Sequence, residues 1–159
     1  AGMRAFNAPY SMRMLELDAG AMYDTAAESQ GKVFVTTELG GGGSSTALSV
    51  AIAERGVRNL LVHAGILEGE LQTAPSIMLD MPDSDCFIAS EHDGLLEMCR
   101  DLGENVSKGE VIARVYDVTR SGVAPVEYRA ARNGLLAARH FPGLVGCGDT
   151  LAVIADVLT

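Results

Sequence analysis

Hydrophobic and polar positions change period several times along the chain, and each change marks an element. Residues 1–8 read as the tail of a helix stopped by Pro9, because the residue before a proline avoids the α region. Residues 10–17 alternate weakly up to Asp18 and predict a strand, and residues 20–30 predict a short helix closed by Gly31 at C′. Residues 32–39 (KVFVTTEL) gather Val33, Phe34, Val35, Thr36 and Thr37, which suit a mostly buried central strand. Gly40, Gly41, Gly42 and Gly43 follow, then a Ser/Thr cluster able to cap a helix from about Thr46. Residues 46–66 predict that helix, with Leu48, Ile52, Val57, Leu60, Leu61 and Ala64 as its apolar stripe. Gly56 is expected to split it and Gly65 to stop it. The order strand–helix–strand–helix calls for a parallel pair in an α/β layer. Two or three strands are too few to be covered by helices on both faces. Residues 1–66 therefore read as part of a larger domain whose beginning lies upstream.

From Leu71 the texture changes. Residues 68–85, with Pro75, Pro82 and several acids, read as a linker carrying one strand at 76–79. Beyond it the chain repeats itself at an offset of about 40 residues. Ser90-Glu-His-Asp-Gly94-Leu95-Leu96 matches Ala130-Ala-Arg-Asn-Gly134-Leu135-Leu136. Gly103 and Gly109-Glu110-Val111-Ile112 match Gly143 and Gly148-Asp149-Thr150-Leu151. Each copy predicts a turn, an apolar strand, a glycine turn and a final strand at 111–116 or 151–157. Two such copies facing each other form a small β sandwich. The phrase resembles the barrel-sandwich fold of biotinyl and lipoyl carrier domains across residues 89–157. A carrier needs a lysine at the hairpin between its halves, however. The only lysines are Lys32 and Lys108, and residues 120–125 hold none. A structural or substrate-gating role is the better expectation.

Composition narrows the function classes. The 159 residues suffice for one ordinary domain or two small ones, and 48% hydrophobic with 21% charged content is that of a globular protein. No run of 18 apolar residues is present, and the N-terminal segment lacks the basic start and apolar stretch of a secretory signal. A net charge of −9 with dispersed Arg and Lys argues against nucleic acid and anionic membrane as partners. Cys86, Cys99 and Cys147 are odd in number and contain no CxxC, so they read as reduced thiols in a cytoplasmic protein.

Glu38 is the candidate with chemistry. It stands at the C-terminal end of the expected central strand, where ligands of α/β sheets sit, beside a loop with no side chains to block access. A solvated strand-end acid is the bland alternative. His63, His92 and His140 show no metal-ligand spacing, and Glu91 and His92 would point to opposite sides of a strand. Arg129 and Arg132 offer guanidinium forks that could clamp a substrate carboxylate, with surface salt bridges as the alternative. Tyr116 and Tyr128 are expected to fill ordinary packing roles.

VFVTTELGGGG, then AIAERGVRNLLVHAGIL, then the duplicated β phrase, together resemble the succinylglutamate desuccinylase/aspartoacylase family over essentially the whole chain. The resemblance implies a zinc-carboxypeptidase-like fold and a zinc-dependent hydrolysis of the amide of a small N-acylated amino acid. It places the catalytic glutamate of the T-E-L-G phrase on Glu38, and the glycines after it, Gly40 and Gly41 foremost, are expected to leave room for the substrate. The family's HxxE pair and later zinc histidine precede that phrase, whereas the first histidine here is His63. The resemblance thus implies a C-terminal part whose zinc ligands lie upstream, joined in the intact enzyme by an N-terminal part. The expected architecture is a partial carboxypeptidase-like α/β layer at about 1–70, then a β barrel-sandwich domain at about 71–159. An uncovered sheet edge would favour a homo-oligomer. A non-catalytic binding or assembly module is the second hypothesis.

Overall fold

The computed structural model describes residues 1–14 and 22–158. These fall into two compact units, one of residues 1–12 and 22–78, the other of residues 13–14 and 79–158.

The first unit contains α1 (Gly2–Phe6), α2 (Tyr23–Glu28) and α3 (Ala47–His63). Helix α1 ends where Asn7 turns left-handed at φ 59°, ahead of Pro9. Residues 15–17 of the first expected strand and residues 20 and 21 of the expected helix lie outside the described residues. Helix α3 begins at a reciprocal cap. The Ser49 N–H donates to Thr46 Oγ1 at 3.1 Å, and the Thr46 N–H donates to Ser49 Oγ at 2.9 Å. It ends in a Schellman turn, in which the Ile66 N–H reaches the Leu61 carbonyl and the Gly65 N–H, at φ +72°, reaches that of Val62.

Three expectations change here. Gly56 does not split α3. It is buried against α1, and a Cβ there would lie 2.6 Å from Phe6 Cε1, so glycine serves close helix–helix approach. Residues 32–39 form no strand among the described residues. β-branched composition favours an extended backbone, whereas a strand also needs a ladder partner. The buried side of α3 also differs from the expected stripe. It carries Ser49, Gly56 and Asn59, while Leu48, Val57 and Leu61 are exposed.

Strand β1 (Tyr10–Arg13) pairs with β2 (Ile77–Asp80), one residue later than the expected 76–79 strand. A single 3-10 turn (Ser84–Cys86) leads into β3 (Phe87–Ala89) and β4 (Gly94–Met98). Strands β5 (Asn105–Val106), β6 (Val111–Tyr116), β7 (Val126–Arg129), β8 (Gly134–Arg139), β9 (Leu144–Val145) and β10 (Thr150–Leu158) complete the chain. One sheet runs β1–β2–β10–β8–β5, with β3 also on β10, and the other runs β7–β6–β4–β9. Within the second unit they share one core. Ile112 and Val115 of β6 and Tyr128 of β7 meet Leu136 of β8 and Leu151 and Ile154 of β10. Each fully buried Leu or Ile contributes about 1.5–3 kcal/mol relative to exposure.

The duplication is visible in the hydrogen bonds, and it is swapped. Asn133 Oδ1 of the second copy accepts the Lys108 N–H of the first copy's glycine turn at 2.8 Å. Asp93 Oδ1 of the first copy accepts the Cys147 N–H of the second copy's turn, also at 2.8 Å. The Gly109 N–H donates to the Ala130 carbonyl at 2.8 Å, and the Gly148 N–H donates to that of Ser90 at 2.7 Å. Glu110 and Asp149 then close each turn on the backbone N–H three residues earlier. Gly94 and Gly134 occupy equivalent sites. A Cβ at Gly134 would lie 2.5 Å from the Ala155 carbonyl oxygen, and one at Gly94 would clash with that of Tyr116.

Candidate functional site

The TELGGGG phrase shapes a turn. Gly42 and Gly43 both take positive φ, 60° and 71°, and Gly41 bridges to Ser44, as in a two-residue type I′ turn. Ser44 Oγ donates to the Gly41 carbonyl at 2.8 Å. Gly40, at φ +103°, passes so close to the Ser44 carbonyl oxygen that a Cβ would lie 2.5 Å from it. Two independent constraints therefore demand glycine at 40. A Cβ on Gly41 would meet nothing within 4 Å, so no packing demand explains a glycine there.

Glu38 stands just before this turn and is exposed. The capped N-terminus of α3, at Thr46, follows the turn two residues after Ser44. The arrangement supplies a carboxylate with free approach and a neighbouring backbone stripped of side chains. That is what a proton-transferring acid needs around a small polar substrate.

The two candidate arginines belong to the second unit and already hold partners. Arg129, exposed on β7, donates to the Gly109 carbonyl at 3.0 Å and pairs with Glu127. Arg132 is half-buried. It pairs with Asp83 at 2.9 Å and Asp156 at 2.6 Å, and its Nη1 lies 3.2 Å from Sγ of the fully buried Cys86. Arg132 holds the 3-10 turn, β10 and the second repeat's turn together. The bland reading of Arg132 therefore accounts for its contacts.

At the corresponding position of the first copy stands His92, in a network that sequence pattern missed. The buried Tyr128 hydroxyl accepts the Glu91 N–H at 2.9 Å and lies 2.9 Å from His92 Nδ1 and 3.3 Å from Ser90 Oγ. Ser90 Oγ donates to the His92 carbonyl at 2.6 Å. Tyr128 thus closes the first repeat's turn in addition to packing. The available signal was the repeat itself, which pairs His92 with Arg132 as the third residue of each turn.

Among the described residues no three His, Cys, Asp or Glu side chains come together as a metal-ligand set. Among them also, no helix is long and apolar enough to cross a membrane.

Residues 1–64 match the succinylglutamate desuccinylase/aspartoacylase catalytic domain. The whole chain is 64% identical over 159 residues to the N-alpha-acetyl-L-2,4-diaminobutyric acid deacetylase of Halomonas elongata, covering 99% of this chain and 46% of that protein. It is similar to the product-bound structure of the ectoine utilization protein EutE (DoeB) from Ruegeria pomeroyi. Identity there is 59% with a TM-score of 0.94, over 98% of this chain and 47% of that one. A succinylglutamate desuccinylase/aspartoacylase from Rhodobacter sphaeroides matches at 30% identity and a TM-score of 0.88, over 98% and 47% respectively. The chain spans about half the length of the relatives it matches.

Proposed function

From a chain that is a succinylglutamate desuccinylase/aspartoacylase-family sequence over residues 1–64, we propose that the intact protein hydrolyses the amide of a small N-acylated amino acid. N-acetyl-diaminobutyrate is the first substrate to test, by similarity to the Halomonas elongata deacetylase. The observation that carries the reading is Glu38, exposed beside the glycines of the turn, inside the segment that matches the catalytic domain. In this reading the first unit is part of a carboxypeptidase-like α/β layer. The second is a barrel-sandwich domain, supported by the swapped glycine turns.

Glu38 acts as the general base, taking a proton from water as it attacks the acyl carbon. The same carboxyl then returns the proton to the leaving amine, so that carboxylate and free amine are released. Gly40 and Gly41 leave room for the substrate. Arg129 and Arg132 are the candidates for a substrate carboxylate, and the Arg129 guanidinium is the more exposed of the two. The described residues do not fit a zinc site. Zinc, proposed for the intact enzyme from the family resemblance, would take its ligands from polypeptide outside this chain.

The test is a deacylation assay on the intact enzyme with N-acetyl, N-succinyl and N-formyl amino acids, diamino acids included. Release of free amine from one of these classes supports the reading. No release from any of them, with the protein folded and zinc supplied, would leave the second unit as an assembly module.

A further inference from the structure

We propose that Ser44 is a positioning residue for Glu38, acting through the glycine turn that lies between them. The inference deepens the proposed function and rests on its reading of Glu38 as the proton-transferring acid. Consecutive glycines make the least constrained backbone a chain can have, because none carries a Cβ to restrict φ and ψ. Gly40, Gly41, Gly42 and Gly43 form such a run directly after Glu38 and Leu39. A carboxylate joined to it keeps a fixed place only if the run itself is held. Packing does not hold it, since a Cβ at Gly41 or Gly43 would meet nothing within 4 Å. The glycines have no side chains to bond with, so the hold must come from a flanking residue.

Ser44 supplies it twice over. Its N–H donates to the Gly41 carbonyl at 3.2 Å, and its Oγ donates to the same oxygen at 2.8 Å. The two donors meet the two lone pairs of that oxygen. A peptide unit is planar, so holding the oxygen fixes the whole Gly41–Gly42 plane. Among the described residues no other side chain of residues 40–45 makes a hydrogen bond. The Ser44 carbonyl also abuts Gly40, where a Cβ would lie 2.5 Å from its oxygen. On the far side of Ser44 the chain is anchored. Thr46 and Ser49 cap α3 reciprocally, and α3 packs on α1 where Gly56 meets the Phe6 ring. The serine hydroxyl is therefore the side-chain link between a packed helix pair and the backbone that carries Glu38. Ser44 is exposed, so removing its oxygen leaves the packing alone and frees the turn. Proton transfer needs the carboxylate within hydrogen-bond reach of water and amine, and a misplacement of about 1 Å costs on the order of 100-fold.

The test is a double-mutant cycle in the intact enzyme. Measured are kcat and KM for N-acetyl-diaminobutyrate in the parent, Ser44→Ala, Glu38→Gln and the double variant, with Ser44→Thr beside them. Ser44→Ala should lower kcat by about 10- to 100-fold, with KM and the thermal midpoint close to the parent's. Ser44→Thr keeps the hydroxyl and should recover most of the rate. In the Glu38→Gln background Ser44→Ala should cost little, because the group it positions is already disabled. A loss of equal size in both backgrounds would overturn the inference. So would a loss confined to KM, or one that threonine does not recover. Parent-like kcat in Ser44→Ala beside a crippled Glu38→Gln sinks the inference and leaves the proposed function standing. Parent-like kcat in Glu38→Gln sinks the role of Glu38 and the inference with it.

Discussion

Asn59 and Gln72 exchange two hydrogen bonds in the manner of paired strands. Asn59 Nδ2 donates to the Gln72 carbonyl at 2.8 Å, and the Gln72 N–H donates to Asn59 Oδ1 at 2.9 Å. Asn7 does the same for Ala74, at 3.0 and 2.6 Å. Two asparagine side chains thus satisfy the backbone of an irregular segment that crosses α1 and α3, where no sheet is available to do so. Asn59 is fully buried, so water cannot replace it. Asn59→Ala should destabilise the first unit by about 2–3 kcal/mol, the cost of leaving buried backbone groups unpaired. A denaturant midpoint unchanged by the substitution would contradict this role.

Gly56→Ala tests the approach of α1 and α3. In an isolated helix the change would stabilise by about 1 kcal/mol. Here the new methyl would press on the Phe6 ring, and overpacking of about 1–3 kcal/mol should win. The sign of the change in thermal midpoint decides between them, and Phe6→Leu in the same chain should recover part of the loss.

Gly40 and Gly41 separate turn-building from substrate access. Gly40→Ala combines a positive φ with a backbone clash and should destabilise by more than about 1 kcal/mol. Gly41→Ala meets open space and should leave stability within about 0.5 kcal/mol. If Gly41 leaves room for substrate, KM of the intact enzyme should nevertheless rise. An unaltered KM would remove Gly41 from the site.

The acid limb of stability should depend on Glu110. A hydrogen bond from the Ser107 N–H, then one from Arg100, holds its carboxyl below the usual range. A lowered native pKa gives stability that is present above the unfolded value and is lost as pH falls through the native one. Glu110→Gln should therefore flatten the decline in unfolding midpoint on the acid side of the ordinary carboxylate range. Neutral-pH behaviour should change less. An acid limb identical to the parent's would exclude Glu110 as a contributor.

These tests divide between features that were legible in sequence and features that were not. The duplication was legible because Gly94 and Gly134 have no room for a Cβ, and a backbone clash leaves an unambiguous residue type. The Thr46 cap and Gly65 stop were legible for the same local reason. The Asn59–Gln72 exchange was not, since nothing in a helical pattern marks an asparagine as partner to backbone 13 residues away. Residues 32–39 show the converse limit, because β-branched composition favours a strand and says nothing of the partner that makes one. At the candidate site the turn that follows Glu38 was legible from its run of glycines. The engagement of Arg132 by Asp83 and Asp156, 49 and 24 residues away, depends on contacts that only the folded chain brings together.

The most direct test of the account is the turnover of Glu38→Gln in the intact enzyme, with bound zinc measured on the same sample. Glutamine keeps the side chain's shape and removes its ability to take a proton. A general base contributes about 10²–10⁴-fold to rate, so kcat on the preferred N-acyl amino acid should fall by that order while zinc content stays at the parent's level. Turnover unchanged from the parent would contradict the account and assign the proton transfer to another residue.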